Sequence, residues 1–153
     1  MIRVTPDKLD AAELLQRFEA SVSDAGAVVS FSGLVRPNSS AGEVKRLHLQ
    51  AYSPMTENGI EAALRDAISR WPLSNAIVHH RIGDMRPGDT IVLVATASKH
   101  RRAAFEAADF LMDYLKTKAV FWKRETTATS DVWIEPRDQD YSDATRWNME
   151  EAS

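Results

Sequence analysis

Two β-rich runs, Ala76 to Ile82 and Thr90 to Ala97, are separated only by Gly83-Asp84-Met85-Arg86-Pro87-Gly88-Asp89. The glycines and the proline of that connection suit a tight hairpin, and a hairpin makes its two strands antiparallel. The rest of the chain repeats the theme of strands punctuated by isolated helices. Asp10 followed by Glu13 predicts a capped helix over 11–22, with Leu14, Leu15, Phe18 and Val22 at helical spacing until Gly26. Ala27 to Val35 reads as a strand, Arg36 to Gly42 as a polar loop, and Lys45 to Tyr52 as that strand's partner. Ser53 as N-cap and Pro54 at the first helical position open a helix over 54–70, whose buried stripe is Ile60, Leu64, Ala67, Ile68 and Trp71. A third helix starts after Ser98, turns Phe105, Ala108, Leu111, Met112 and Leu115 inward, and closes near Lys116 to Lys118. Ala119 to Glu125 and Asp131 to Glu135 finish as short strands. The predicted class is α+β with mostly antiparallel sheet, not a doubly wound nucleotide fold.

At 153 residues the chain fits one core, read here as a single domain over 1–140 followed by an acidic, weakly ordered tail over 141–153. Its net charge of −3 is too balanced for coating nucleic acid or membrane by bulk charge. Residues 99–124 carry seven Lys/Arg against three Asp/Glu, however, while 131–153 carry two against seven. That polarity is either two solvated faces or a local anion pocket followed by a solubilising tail. With no cysteine, disulfides, thiolate metal sites, a cysteine nucleophile and a persulfide on this chain are excluded. No apolar run is long enough for a membrane helix and the N-terminus has no signal-peptide core, so the expected location is cytoplasmic.

No dinucleotide fingerprint, phosphate-binding loop or serine-hydrolase elbow is present. His79 and His80 are adjacent on a strand and point to opposite faces, and His48 and His100 stand alone, so neither a metal nor a resident cofactor is expected. Lys99-His100-Arg101-Arg102 opens a helix whose free N–H groups and positive dipole end already favour an anion. The added cations there are either an anion site or an exposed basic turn. Lys116 and Lys123 flank the short segment Thr117 to Trp122, and a turn there would bring both ammonium groups together. Crowded cations lower each other's pKa, which frees one lysine to accept a proton while its neighbour stabilises negative charge. Solvated helix-end lysines are the plain alternative, and Arg36, where a strand leaves for a loop, has the same two readings.

Phe31-Ser32-Gly33-Leu34-Val35-Arg36, Tyr52-Ser53-Pro54-Met55, His80-Arg81-Ile82-Gly83, His100-Arg101-Arg102-Ala103-Ala104-Phe105-Glu106-Ala107 and Phe121-Trp122-Lys123-Arg124-Glu125 stand in one order and spacing over roughly 27–137. In that register the chain resembles the large, catalytic subunit family of molybdopterin synthase. The resemblance implies an α/β-hammerhead-like fold and sulfur transfer. A small ubiquitin-like sulfur-carrier subunit with a C-terminal glycine thiocarboxylate is the implied donor, and cyclic pyranopterin monophosphate the implied acceptor. It further implies that Lys116 and Lys123 are the active-site lysines. Arg36, His100, Arg101 and Arg137 would form the substrate pocket, with Phe31 and Met112 lining it. Acid/base work falls to Lys116 and thiocarboxylate positioning to Lys123. Gln50, Ala51 and Val120 depart from the family's usual residues; Val120 stands where a proline is usual, between the two lysines.

His100 and Lys116 are sixteen residues apart on one helix, about 24 Å at ~1.5 Å per residue, and on nearly opposite faces. If both serve one pocket, two copies must share it as a homodimer; with the small subunit that the resemblance implies, the expected assembly is a homodimer within a heterotetramer. Two other classes remain: a non-catalytic module that captures the tail of a ubiquitin-like protein, and a single-stranded RNA binder using residues 99–124 and Trp122. The latter fares worst, because the segment lacks interleaved exposed aromatics.

Overall fold

The structure, a computed structural model, describes residues 1–151. In chain order the elements are β1 (Ile2–Thr5), α1 (Ala11–Ser21), β2 (Ala27–Leu34), β3 (Asn38–Ser39), β4 (Gly42–Ala51), α2 (Met55–Arg70), β5 (Leu73–Arg81), β6 (Gly83–Met85), β7 (Thr90–Ser98), α3 (Arg101–Thr117), β8 (Phe121–Thr127), β9 (Asp131–Ile134), α4 (Asp138–Ala144) and α5 (Arg146–Glu151). Among the described residues, one sheet runs β1-β5-β7-β2 and the other β3-β4-β8-β9, with β6 added alongside β4. Among the described residues only β1 and β5 pair in parallel. The α+β, mostly antiparallel class is therefore as the sequence predicts.

Strand alternation divides the core of the first sheet. Ile77, Leu93, Ala95 and Ala97 face α1 and its buried Phe18. Ala76, Val78, Val92 and Val94 point the other way, onto Ile60, Leu64 and Ala67 of α2 and Ala107, Ala108 and Leu111 of α3. A separate cluster of Val35, Val44, Leu47, Leu49 and Met85 holds the second sheet. At the start of α1 the Asp10 carboxylate accepts from the Glu13 N–H at 3.1 Å, as a capped helix requires.

Four expectations need correction. The strand at Lys45–Tyr52 does not pair with Ala27–Val35: β2 lies on β7, while β4 lies on β6 and β8. The polar loop makes its own hairpin instead, pairing Asn38 with Glu43 and Ser39 with Gly42, whose φ of 112° only glycine adopts without strain. The chain thus changes sheets at Arg36. Ile68 and Phe105 are exposed, not buried; each sits one residue, about 100° of helix, away from an inward alanine, Ala67 or Ala104. Ser53 does not cap α2; its hydroxyl donates to Glu57, and Pro54 is the capping position.

The fourth correction concerns the tail. The segment from Tyr141 completes α4 to Ala144, turns at Thr145 and continues as α5 to Glu151, and its last two residues lie outside the described residues. Trp147 is buried in an edge-to-face cluster with Trp71 and Phe110, at ring separations of 5.5 and 5.7 Å. Its indole N–H donates to Asp113 at 2.6 Å, and Arg146 pairs with Asp109 and Asp113. An aromatic cluster with a satisfied N–H anchors a short segment that propensity alone does not hold.

Candidate active site

Gly26 fixes where α3 begins. Its N–H donates to the Ser98 carbonyl at 3.0 Å, and a Cβ there would collide with the Lys99 carbonyl. Gly26 is thus a close approach as well as a helix stop. From Arg101 the helix runs to Thr117, presenting Lys116 in its last turn, and the chain then reverses. The Lys118 and Ala119 N–H groups both donate to the Tyr114 carbonyl, at 2.8 and 3.0 Å. Buried Thr56 pins the reversal from outside, its hydroxyl donating to the Val120 carbonyl at 2.6 Å while accepting from the Tyr52 N–H. Val120, the departure between the two lysines, is therefore held through its carbonyl.

Strand β8 leaves this turn with Phe121, Lys123 and Glu125 on one face and Trp122 and Arg124 on the other. Lys123 is paired in register with Leu49 of β4 and Ile134 of β9, so both neighbours fix its direction. Phe121 stacks on buried His80 at 4.1 Å, and the His80 Nδ1–H donates to the Arg81 carbonyl. Burial, with Lys123 and Lys116 nearby, pushes the His80 pKa down to about 3. The imidazole is neutral, and serves as the backing of an aromatic wall.

The result is a cleft of about 270 Å³ whose wall includes Lys116, Lys123, Arg36 and Arg137. Arg36 reaches it because Val35 is clamped to the β6–β7 loop in both directions, its N–H donating to Asp89 and its carbonyl accepting from Gly88, each at 2.9 Å. The Lys123 amine is lowered to about 8, first by burial and then by the adjacent Lys116, with Arg36 adding to the effect and Asp140 opposing it. Cation crowding between the two lysines is thus present as the sequence predicts, but burial is the larger cause.

Four other residues of the expected pocket lie elsewhere in the single chain. His100 and Arg101 sit exposed at the far end of α3, Phe31 is 42% exposed on β2, and Met112 packs against the main core. None of these contributes to the cleft wall. Conversely, the sequence reading passed over Phe121, Glu125, Glu135, Asp140 and Tyr141, which do. For Asp140 a signal was available: it follows Arg137 by three residues, the spacing at which a carboxylate and a guanidinium pair on a helix.

A second cleft, of about 310 Å³, lies between α2, α3 and α5. Its acidic groups are already engaged, Asp66 with Arg70 and Asp113 with Arg146 and Trp147, and its wall brings two cations, Arg70 and Lys118, against the four of the first. Among the described residues, no group of three or more His, Cys, Asp or Glu side chains is placed to hold a metal ion.

Comparison with known proteins adds the family. The family model described as MoaE protein matches residues 4–118. The chain is 48% identical to the molybdopterin synthase catalytic subunit of Salmonella typhimurium over 128 residues, covering 84% of this chain and 85% of that one. Identity to the molybdopterin synthase catalytic subunit of Vibrio cholerae is also 48%, over 147 residues and 95% and 97% of the two chains. The solved MoaE protein of Burkholderia ambifaria superposes with a TM-score of 0.82 at 37% identity, covering 97% of each chain.

Proposed function

The chain belongs to the MoaE family of molybdopterin synthase catalytic subunits, and from that premise we propose that it is a sulfurtransferase. It takes sulfur from the C-terminal glycine thiocarboxylate of a small ubiquitin-like carrier and delivers it to cyclic pyranopterin monophosphate, building the dithiolene of molybdopterin. The observation that carries this reading is the meeting of Lys116, Lys123, Arg36 and Arg137, from four separate parts of the chain, around one cleft. Donor and acceptor are both anions, and partly desolvated, pre-positioned cations are what binds them and stabilises charge as it develops.

The roles of the two lysines divide by burial, and the division reverses the one expected from the resemblance. With its pKa at about 8, Lys123 is a free amine in roughly a tenth of molecules at pH 7, which suits it to accept and return a proton. Lys116, exposed at the rim, is left to hold the thiocarboxylate. Each transfer forms a carbon–sulfur bond at a substrate carbon as the carbon–oxygen bond there breaks, the oxygen leaving as the freed phosphate arm of the opened cyclic phosphate in one transfer and as water in the other. Water then cleaves the carrier's acyl–sulfur bond, leaving the sulfur on the substrate and an ordinary carboxylate on the carrier, and two transfers complete the dithiolene. The sulfur arrives on the carrier, so a cysteine-free chain suffices and no resident cofactor is required.

His100 and Arg101 stand about 24 Å along α3 from Lys116, so they serve this chemistry only when a second copy presents them. The working assembly is then a homodimer carrying a small subunit on each copy, a heterotetramer. The working compartment is the cytoplasm; no helix among the described residues is long and apolar enough to cross a membrane.

Mixing the purified chain with thiocarboxylated carrier and cyclic pyranopterin monophosphate tests the proposal directly. Molybdopterin is the expected product. Stable complex formation without product would replace the enzyme by a module that only captures the carrier's tail.

A further inference from the structure

The cations of the cleft are already partly answered from within. Asp140 sends its carboxylate back toward the chain that precedes α4. Its Oδ1 accepts from Arg137 Nη2 at 2.9 Å, and its Oδ2 accepts from Arg137 Nε at 3.4 Å and from the Arg137 backbone N–H at 3.0 Å. The Arg137 side chain is 70% exposed, whereas that of Asp140 is only 13% exposed. The inner partner is therefore the carboxylate. A two-pronged guanidinium–oxyanion contact of this kind is what an arginine offers a bound phosphate or carboxylate, and here a side chain of the same chain has taken it.

Around Asp140 the cleft presents Lys116 from α3, Lys123 and Glu125 from β8, and Arg36 from the end of β2. Glu135 and Tyr141 complete its titratable wall. The hydrogen bond from Arg137 holds the Asp140 carboxyl below the usual carboxylate range, and the Lys116 charge adds to this. In return Asp140 partly offsets the lowering of Lys123. Exchanging one monoanionic carboxylate for another gains no Coulombic energy in such a site. A phosphate, with up to two negative charges and three acceptor oxygens, does gain.

We propose that Asp140 is a positioning residue of the cleft: an internal counter-ion that holds Arg137 in the free chain and gives it up to a phosphate group. Identification of that phosphate with the monoester released when the cyclic phosphate of the substrate, itself a monoanion, opens rests on the sulfur-transfer reading; the exchange itself does not, and is measurable without catalysis.

The experiment titrates inorganic phosphate, and separately acetate, into the wild-type chain, Asp140→Asn and Asp143→Asn, following binding by calorimetry. Asparagine keeps an oxygen for the Arg137 N–H, and Asp143 is a charge-matched control on the same helix, paired with Gln139, absent from the cleft wall and felt by Arg137 more weakly than Asp140 is. Asp140→Asn is expected to bind phosphate roughly fivefold tighter than wild type, a gain in keeping with removal of one competing ion pair. Asp143→Asn should stay within about twofold, and acetate should bind wild type more weakly than phosphate. Equal tightening in both variants, no tightening in Asp140→Asn, or acetate matching phosphate would overturn the proposal. Should Asp140→Asn not fold, the wild-type chain still decides: the Asp140 carboxyl carbon resonance must move with the phosphate isotherm, and a static resonance refutes the exchange.

With catalysis added, Asp140→Asn should lower KM for the cyclic phosphate substrate more than it changes kcat, and should move the acid limb of the pH profile downward as Lys123 loses its counter-charge. Unchanged KM and an unmoved limb count against the proposal. A wild-type chain that makes no molybdopterin but shows the phosphate exchange would refute the function and leave this inference intact.

Discussion

Lys123 and Lys116 lie on different elements, and the contrast between them is one of environment. Lys123 is partly buried between two strands, and Lys116 is exposed at the end of α3. Neither fills a core position, so Lys116→Ala and Lys123→Ala should each abolish or severely reduce product formation while leaving the thermal transition close to wild type. A variant that unfolds, or that keeps most of its activity, contradicts the assigned role. The proton affinities offer an independent check. The charge of Lys116 lowers the Lys123 pKa, so Lys116→Ala should raise it above about 8 toward the ordinary lysine value. Carbon NMR of the lysine Cε as a function of pH reads this directly, and a Lys123 transition that stays put would show that the two amines do not interact.

Two packing devices place these residues. The turn between α3 and β8 is fixed by the Thr56 hydroxyl on the Val120 carbonyl, and Thr56 is fully buried. Thr56→Val keeps the shape and removes the hydroxyl, leaving the half-buried Val120 carbonyl and the Tyr52 N–H short of a partner. The expected cost is about 1–3 kcal/mol in denaturant unfolding, with a fall in kcat from the displaced lysine turn. The other device is the α4–α5 segment, which carries Arg137 and Asp140 into the cleft and is anchored by Trp147. Trp147→Ala empties the cluster with Trp71 and Phe110, at a cost of about 3–5 kcal/mol. For a chain of this size that lowers Tm by roughly 6–20 °C. Product formation should fall further than Tm alone accounts for; full specific activity at a temperature where the variant is folded would mean that the tail does not position Arg137.

At the scale of the whole molecule the issue is the length of α3. Residues at its two ends, His100 with Arg101 and Lys116, meet at one substrate only if copies of the chain exchange ends. Complementation tests this. Inactive His100→Ala and Lys116→Ala chains, unfolded together and refolded as an equal mixture, form mixed dimers in about half of the molecules, each with one intact site, so roughly a quarter of wild-type activity should return. Recovery near zero, with mixed dimers confirmed by mass, would place His100 outside the substrate pocket.

Local physics was legible in the linear chain. The hairpin between β5 and β7, the capped start of α1 and the extent of α3 follow from turn residues, caps and periodicity, which act over a few residues. Two lysines on either side of a short turn are local as well, and so was the prospect that each would disturb the other's titration. What the chain alone could not decide is everything that depends on distant partners. Whether β4 joins β2 or β8 is settled by long-range strand pairing, because a half-buried alternating strand accepts any neighbour of matching pattern. The order of the tail is settled by Trp147 finding Trp71 and Phe110, more than thirty residues away. The depth of Lys123, and hence its share of the chemistry, is settled by the walls that β4, β9 and His80 build around it. Sequence fixes the kinds of groups and their local geometry, whereas burial is a property of the assembled fold, and it is burial that changes what a lysine can do.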